Sequence, residues 1–217
     1  MMRRRIEMER SEMIPWPGAL PIVAILRGIT PGEIDAVTDI LVEAGIQTIE
    51  IPLNSPEPLT SIERLSARWG DRCLCGAGTV LTPDEVDDVA QAGGKLIVAP
   101  NTDAAVIRRA LDLGLTVVPG FATPTEAFQA IRAGARILKL FPAAFYGPGY
   151  LRAIGAVLPK EVTVLAVGGV DNDNIAAWSA AGAAGFGIGG ELYRPGREPD
   201  ELRRRAFGVA AACRAIH

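Results

Sequence analysis

Eight short runs rich in β-branched and aliphatic residues recur along the chain, with starts roughly 21 to 27 residues apart and helical patterns filling every interval. They are residues 21–28 (PIVAILRG), 48–53 (TIEIPL), 73–80 (CLCGAGTV), 95–100 (KLIVAP), 116–121 (TVVPGF), 137–142 (ILKLFP), 163–170 (TVLAVGGV) and 185–193. This spacing leaves room for one crossover helix between successive strands, which is the repeating unit of a parallel sheet. Thr30-Pro31, Thr82-Pro83 and Thr123-Pro124 each place a capping hydroxyl before a proline at the first helical position, with acidic residues in the opening turn. Gly45, Gly93, Gly114, Gly134 and Gly182 sit where helices stop and a positive φ is wanted. Eight βα units without a linker or a break in composition predict an α/β fold, a single-domain (β/α)8 TIM barrel over residues 14–217. An open doubly wound sheet of eight parallel strands is the less usual outcome.

Composition removes whole classes of function. About half the residues are hydrophobic (49%), enough for one sizeable core, yet no apolar run approaches the ~18 residues of a membrane span. Residues 1–13 carry Arg3, Arg4 and Arg5 with no hydrophobic region behind them, which predicts a flexible extension and not a secretory signal. A net charge of -3 provides no basic field for nucleic acid, and Arg203, Arg204 and Arg205 read as surface. The three cysteines, Cys73, Cys75 and Cys213, have neither metal spacing nor an even count, so a reducing compartment, the cytoplasm, is expected. The single histidine is the last residue, His217, which removes Ser-His-Asp and Cys-His nucleophile systems and His-bearing zinc sites.

In a (β/α)8 barrel the site lies at the carboxyl ends of the strands, so polar residues should appear as each apolar run finishes. Arg27, Glu50, Asn54, Thr79, Asn101 and Lys139 do so. Lys139 is one of only three lysines in a chain that elsewhere uses arginine for positive charge. It is flanked by Ile137 and Phe141 on its own strand face and by Leu138 and Leu140 on the other. A lysine on a solvated face would have polar neighbours, and this one has none. Glu50 stands between two isoleucines in the second run. A structural ion pair with an arginine would also explain a lone carboxylate there. Buried together inside one barrel, however, an amine and a carboxylate suit Schiff-base chemistry. Desolvation keeps part of the amine neutral, and the acid moves protons during carbinolamine formation and breakdown.

Two glycine pairs, Gly168-Gly169 after the seventh run and Gly189-Gly190 in the eighth, fall where such barrels commonly hold a phosphate. Gly185, Gly187 and Gly190 also satisfy GxGxxG. They lie late in the chain with no acidic residue about 20 positions on to hold a ribose, so NAD binding is rejected and no cofactor is expected.

The motifs RGITP (27–31), EIPLNSP (50–56), GAGTVL (76–81), LIVAPN (96–101), LKLFP (138–142) and VGGV (167–170) together resemble the class I aldolases of 2-keto-3-deoxy-6-phosphogluconate and 2-keto-3-deoxy-6-phosphogalactonate, over about residues 20–195. The resemblance implies that Lys139 forms the Schiff base and Glu50 is the general acid/base. It implies that Arg27 and Thr79 bind the substrate carboxylate end, that Pro100 and Phe141 wall the pocket, and that Gly168, Gly169, Gly189 and Gly190 receive the phosphate. No metal is required, a homotrimer is implied, and the partner is a phosphorylated keto-deoxy sugar acid. Phosphogluconate enzymes typically carry threonine where this chain has Val167, and RGITP with EIPLNSP looks like the phosphogalactonate enzymes. The galactonate epimer is therefore the expected substrate, with the gluconate epimer as the alternative. A non-catalytic sugar-phosphate-binding barrel is a second alternative, and an isomerase is hard to build without a usable histidine. One departure stands out. Relatives usually show serine in GxGS after the eighth strand, where this chain has Gly190, so one phosphate hydrogen bond is expected to be missing.

Overall fold

The computed structural model describes residues 20–216; the expected extension at residues 1–13 and His217 lie outside the described residues. Nine strands alternate with eight helices among the described residues. The strands are β1 (Ile22–Ile25), β2 (Thr48–Pro52), β3 (Leu74–Gly78), β4 (Leu96–Val98), β5 (Thr116–Val118), β6 (Gly120–Phe121), β7 (Ile137–Leu140), β8 (Thr163–Val167) and β9 (Gly185–Ile188). The helices are α1 (Ile34–Glu43), α2 (Pro58–Trp69), α3 (Pro83–Gln91), α4 (Ala104–Asp112), α5 (Pro124–Ala133), α6 (Ala143–Gly155), α7 (Ile175–Ala180) and α8 (Pro199–Arg214). Strand order is β5-β4-β3-β2-β1-β9-β8-β7-β6, and every pair is parallel.

The first and last strands of that order are adjacent in the chain, because the expected fifth strand is broken at Pro119. Proline has no N–H for the ladder, so regular pairing lapses there. Its carbonyl still accepts from the Lys139 N–H at 2.9 Å, and the segment therefore bridges β4 on one side and β7 on the other. The ring closes as eight staves, and the (β/α)8 barrel expected from the periodicity is the fold.

Alternation along the strands sorts the apolar residues into two cores. Ile49, Ile51, Leu138, Leu140 and Ala166 face the helices. Val23, Leu96, Val98, Val118, Ile137, Leu165 and Val167 fill the inside of the ring.

Helix ends follow the chemistry of the chain at most positions. Thr82 and Thr123 cap α3 and α5 in full capping boxes closed by Glu85 and Glu126, each with proline at the start of the helix. Gly45, Gly93, Gly114, Gly134 and Gly182 all take positive φ just past a helix. Thr30 does not cap α1. Residues 31–33 form a turn, the helix begins at Ile34, and Glu33 folds back on Thr30 while also accepting from the Tyr193 hydroxyl at 3.2 Å. Gly32 and this tie to the loop after β9 delay the helix by a turn. The strands are also shorter than the apolar runs. Arg27, Thr79, Gly168 and Gly169 lie beyond the last paired residue, and so do Gly189 and Gly190, expected inside the eighth strand.

Candidate active site

Glu50 and Lys139 both point into the ring, at 2% and 6% exposure. Glu50 is in register with Ile25 on β1 and Gly76 on β3, and Lys139 with Gly120 on β6 and Leu165 on β8. The alternation that places Ile137 and Leu165 inside thus carries the amine inside as well. Lys139 Nζ lies 4.9 Å from the centroid of the Phe141 ring, whose negative face favours the ammonium.

Desolvation dominates the electrostatics of both groups. Burial pushes the Glu50 carboxyl up to about 7, against the pull of Lys139 and Arg27, which favour its charged form. Burial pushes the Lys139 amine down to about 8; Glu50 opposes this and Arg27 adds to it. Loss of water outweighs the attraction between the two in each case, so both sit close to neutrality, where each can exist with or without its proton. Every direct ion pair among the described residues is made by an arginine. Glu50 Oε2 is buried with no hydrogen-bond partner. An ordinary structural ion pair between Glu50 and an arginine is therefore not what holds this carboxylate.

The remaining expected residues ring the mouth. Arg27, just past β1, is exposed and donates to Asn54 Oδ1 at 2.6 Å, which fixes its guanidinium over the end of β2. Ser55 Oγ accepts from the Gly28 N–H at 3.0 Å and ties the same two strand ends together. Thr79 holds φ +58, a left-handed conformation unusual for a β-branched residue and one that turns the chain at the end of β3. Pro100 follows β4, and its carbonyl lies against Gly120, where a side chain would not fit. Val167 is buried in the inner core, packed toward Gly187, whose missing side chain makes room for it.

Gly168 and Gly169 take φ +95 and +76, conformations that suit glycine, and a Cβ on Gly168 would stand 3.4 Å from the Phe141 ring. Arg27, Gly189 and Gly190 line one cavity of about 370 Å³, with Ile25 and Tyr193 among the other walls. The fold therefore joins Arg27 to the second glycine pair, and the Phe141 wall to the first. The place of Asn54 at a strand end is plain in the sequence, whereas its hold on Arg27 is not. The Tyr193–Glu33 tie left no signal in local pattern.

The family model described as "KDPG and KHG aldolase" matches residues 18–200. The chain belongs to this aldolase family. A 2-dehydro-3-deoxy-6-phosphogalactonate aldolase of Escherichia coli (strain K12) is 49% identical over 199 residues, covering 92% of this chain and 97% of the relative. A protein of Rhizobium meliloti (strain 1021) named a probable 2-dehydro-3-deoxy-6-phosphogalactonate aldolase is 47% identical over 201 residues, 93% of this chain and 95% of the relative. A solved structure described as "Native KDPGal structure" superposes with a TM-score of 0.90 at 48% identity, covering 91% of this chain and 96% of that one.

In this aldolase the residue that departs from the GxGS pattern has a specific neighbour. Arg194 Nε donates to the Gly190 carbonyl at 2.7 Å, and a Cβ built on Gly190 would lie 3.3 Å from the same nitrogen. A guanidinium thus stands beside the point where a serine side chain would begin. No helix among the described residues of this aldolase is long and apolar enough to cross a membrane.

Proposed function

We propose that this aldolase cleaves 2-dehydro-3-deoxy-6-phosphogalactonate to pyruvate and D-glyceraldehyde 3-phosphate through a Schiff base on Lys139. The observation that carries the reading is an amine and a carboxyl buried inside one ring, at 6% and 2% exposure, where burial lowers the pKa of the first to about 8 and raises that of the second to about 7. The neutral amine attacks the C2 ketone, and the carbinolamine loses water to give an iminium. Glu50, through one bridging water, accepts the proton of the C4 hydroxyl as the C3–C4 bond breaks. The bond pair moves into the iminium, leaving an enamine and releasing glyceraldehyde 3-phosphate. Glu50 returns the proton to C3, and hydrolysis frees pyruvate and restores the amine. The iminium is the electron sink, so the chemistry calls for no metal.

Arg27, held by Asn54, and Thr79 take the substrate carboxylate end in this proposal, while Pro100 and Phe141 wall the chain of the sugar acid. Gly168, Gly169, Gly189 and Gly190 offer backbone N–H groups to the phosphate, and Arg194 adds a cation at the position that lacks the serine hydroxyl. Two relatives named for the galactonate substrate, together with an apolar Val167 at the end of β8, favour that epimer over gluconate. The enzyme is read as a cytoplasmic homotrimer, as the family resemblance implies, and Phe145, 82% exposed at the start of α6, is the kind of side chain an intersubunit contact would cover. A non-catalytic sugar-phosphate binder would have no use for the buried amine and acid.

Borohydride reduction in the presence of pyruvate is the test: the adduct is expected on Lys139, with loss of pyruvate release in Lys139→Ala. An adduct on Lys95 or Lys160, or full activity in Lys139→Ala, refutes the assignment. Comparing kcat/KM on the two phosphorylated epimers decides between the substrates.

A further inference from the structure

Gly78 closes β3 and is paired with Pro52, two residues past Glu50 on β2. A Cβ built on Gly78 would fall inside the Glu50 carboxyl group, against Cδ, Oε1 and Oε2 alike. The carboxyl thus occupies the volume that a side chain on Gly78 would fill. The backbone has little freedom to withdraw. Gly78 O accepts from the Leu53 N–H at 2.8 Å, Val80 N–H donates to Val98 O at 3.2 Å, and Thr79 between them is already held at φ +58. Glu50 Oε2 has no hydrogen-bond partner, so shape and not a hydrogen bond locates that oxygen.

We propose that Gly78 is a positioning residue for the aldolase reaction, its missing side chain forming the slot that seats the Glu50 carboxyl against β3 within reach of the Lys139 side of the ring. The proposal rests on the reading of Glu50 as the proton carrier. The clash created by a larger residue falls on the free end of a flexible side chain, while the opposing backbone is pinned by two ladders. The carboxyl moves and the barrel stays. A displacement of this kind disturbs the geometry of proton transfer and leaves the substrate-binding rim in place.

The experiment is a double-mutant cycle on the full chain with Gly78→Ala, Glu50→Ala and the pair, read by turnover, pH profile and thermal unfolding. Gly78→Ala alone should lower kcat by at least about tenfold, move KM by less than about threefold, and shift the acid-side midpoint of the kcat profile by about half a unit or more. In the Glu50→Ala background the same substitution should cost less than about twofold, because nothing remains to be displaced. The double variant should melt within about 2 °C of Glu50→Ala, even if Gly78→Ala alone folds poorly. An equal loss in both backgrounds, or a double variant that does not fold, overturns the slot. Unchanged kcat in Gly78→Ala alongside a crippled Glu50→Ala overturns the slot alone, whereas full turnover in Glu50→Ala overturns the role of Glu50 from which it starts.

Discussion

Replacing Glu50 with glutamine separates the two things this carboxyl does. Its charge raises the Lys139 pKa, and its proton serves catalysis in the proposed reaction. With the amine at about 8, roughly one molecule in ten carries it neutral at pH 7, against about one in 3,000 for a lysine at the ordinary 10.5, an enrichment of about 300-fold. Glutamine keeps the shape and removes the opposing charge, so desolvation and Arg27 then act on the amine unopposed. The Lys139 midpoint should fall by about 1 to 3 units from about 8, the usual effect of one nearby charge. More of the amine is then neutral, yet turnover should drop by about 100-fold or more as general acid/base help is lost. Carbamylation by cyanate needs only a neutral amine, so its rate at Lys139 against pH, followed by peptide mass spectrometry, reports the amine independently of catalysis. The exposed Lys95 and Lys160 are internal references. A Lys139 midpoint that stays at about 8 or rises in Glu50→Gln refutes the argument, because the carboxyl would then not be acting on the amine at all.

The pair should also leave a signature on stability. Glu50 binds its proton more tightly when folded, so its contribution falls as pH rises from 4.5 to about 7; Lys139 binds its proton less tightly when folded, so its contribution recovers from about 8 to 10.5. Denaturant unfolding of Glu50→Gln/Lys139→Met against the natural chain should therefore show the variant more stable by about 1–4 kcal/mol, most of all between the two folded pKa values. A difference that is flat with pH would contradict this. Val167→Thr places a hydroxyl in the inner core at nearly constant volume, and the ratio of kcat/KM on the gluconate and galactonate epimers should move toward gluconate by about tenfold. Thr123→Ala removes the side chain that accepts from the Glu126 N–H and should cost about 1 kcal/mol in thermal or denaturant unfolding, since one half of the α5 capping box is lost.

The order of elements was legible because each rests on local chemistry. Period-2 runs and glycine stops mark strands and helix ends wherever nearby residues alone decide the backbone. Thr30 shows the limit: the same Thr-Pro signal that starts α3 and α5 fails at α1, where Glu33 is shared with Tyr193 from the far end of the chain. Pro119 shows another, since a stave read as one strand is two.

Lys139 and Glu50 were visible as charges in apolar runs, and alternation alone turns both inward once the runs are strands. Composition also excluded histidine-based chemistry, because that requires only a count. What the amine and the acid do to one another depends on how far water is excluded from each and on the distance between β2 and β7, quantities that exist only when the ring has closed. The hold of Asn54 on Arg27, the guanidinium beside Gly190 and the void at Gly78 that admits a carboxyl are likewise contacts between segments remote in the chain. Residue type and spacing determined which groups could do chemistry, and packing decided which protons they can give up near neutral pH.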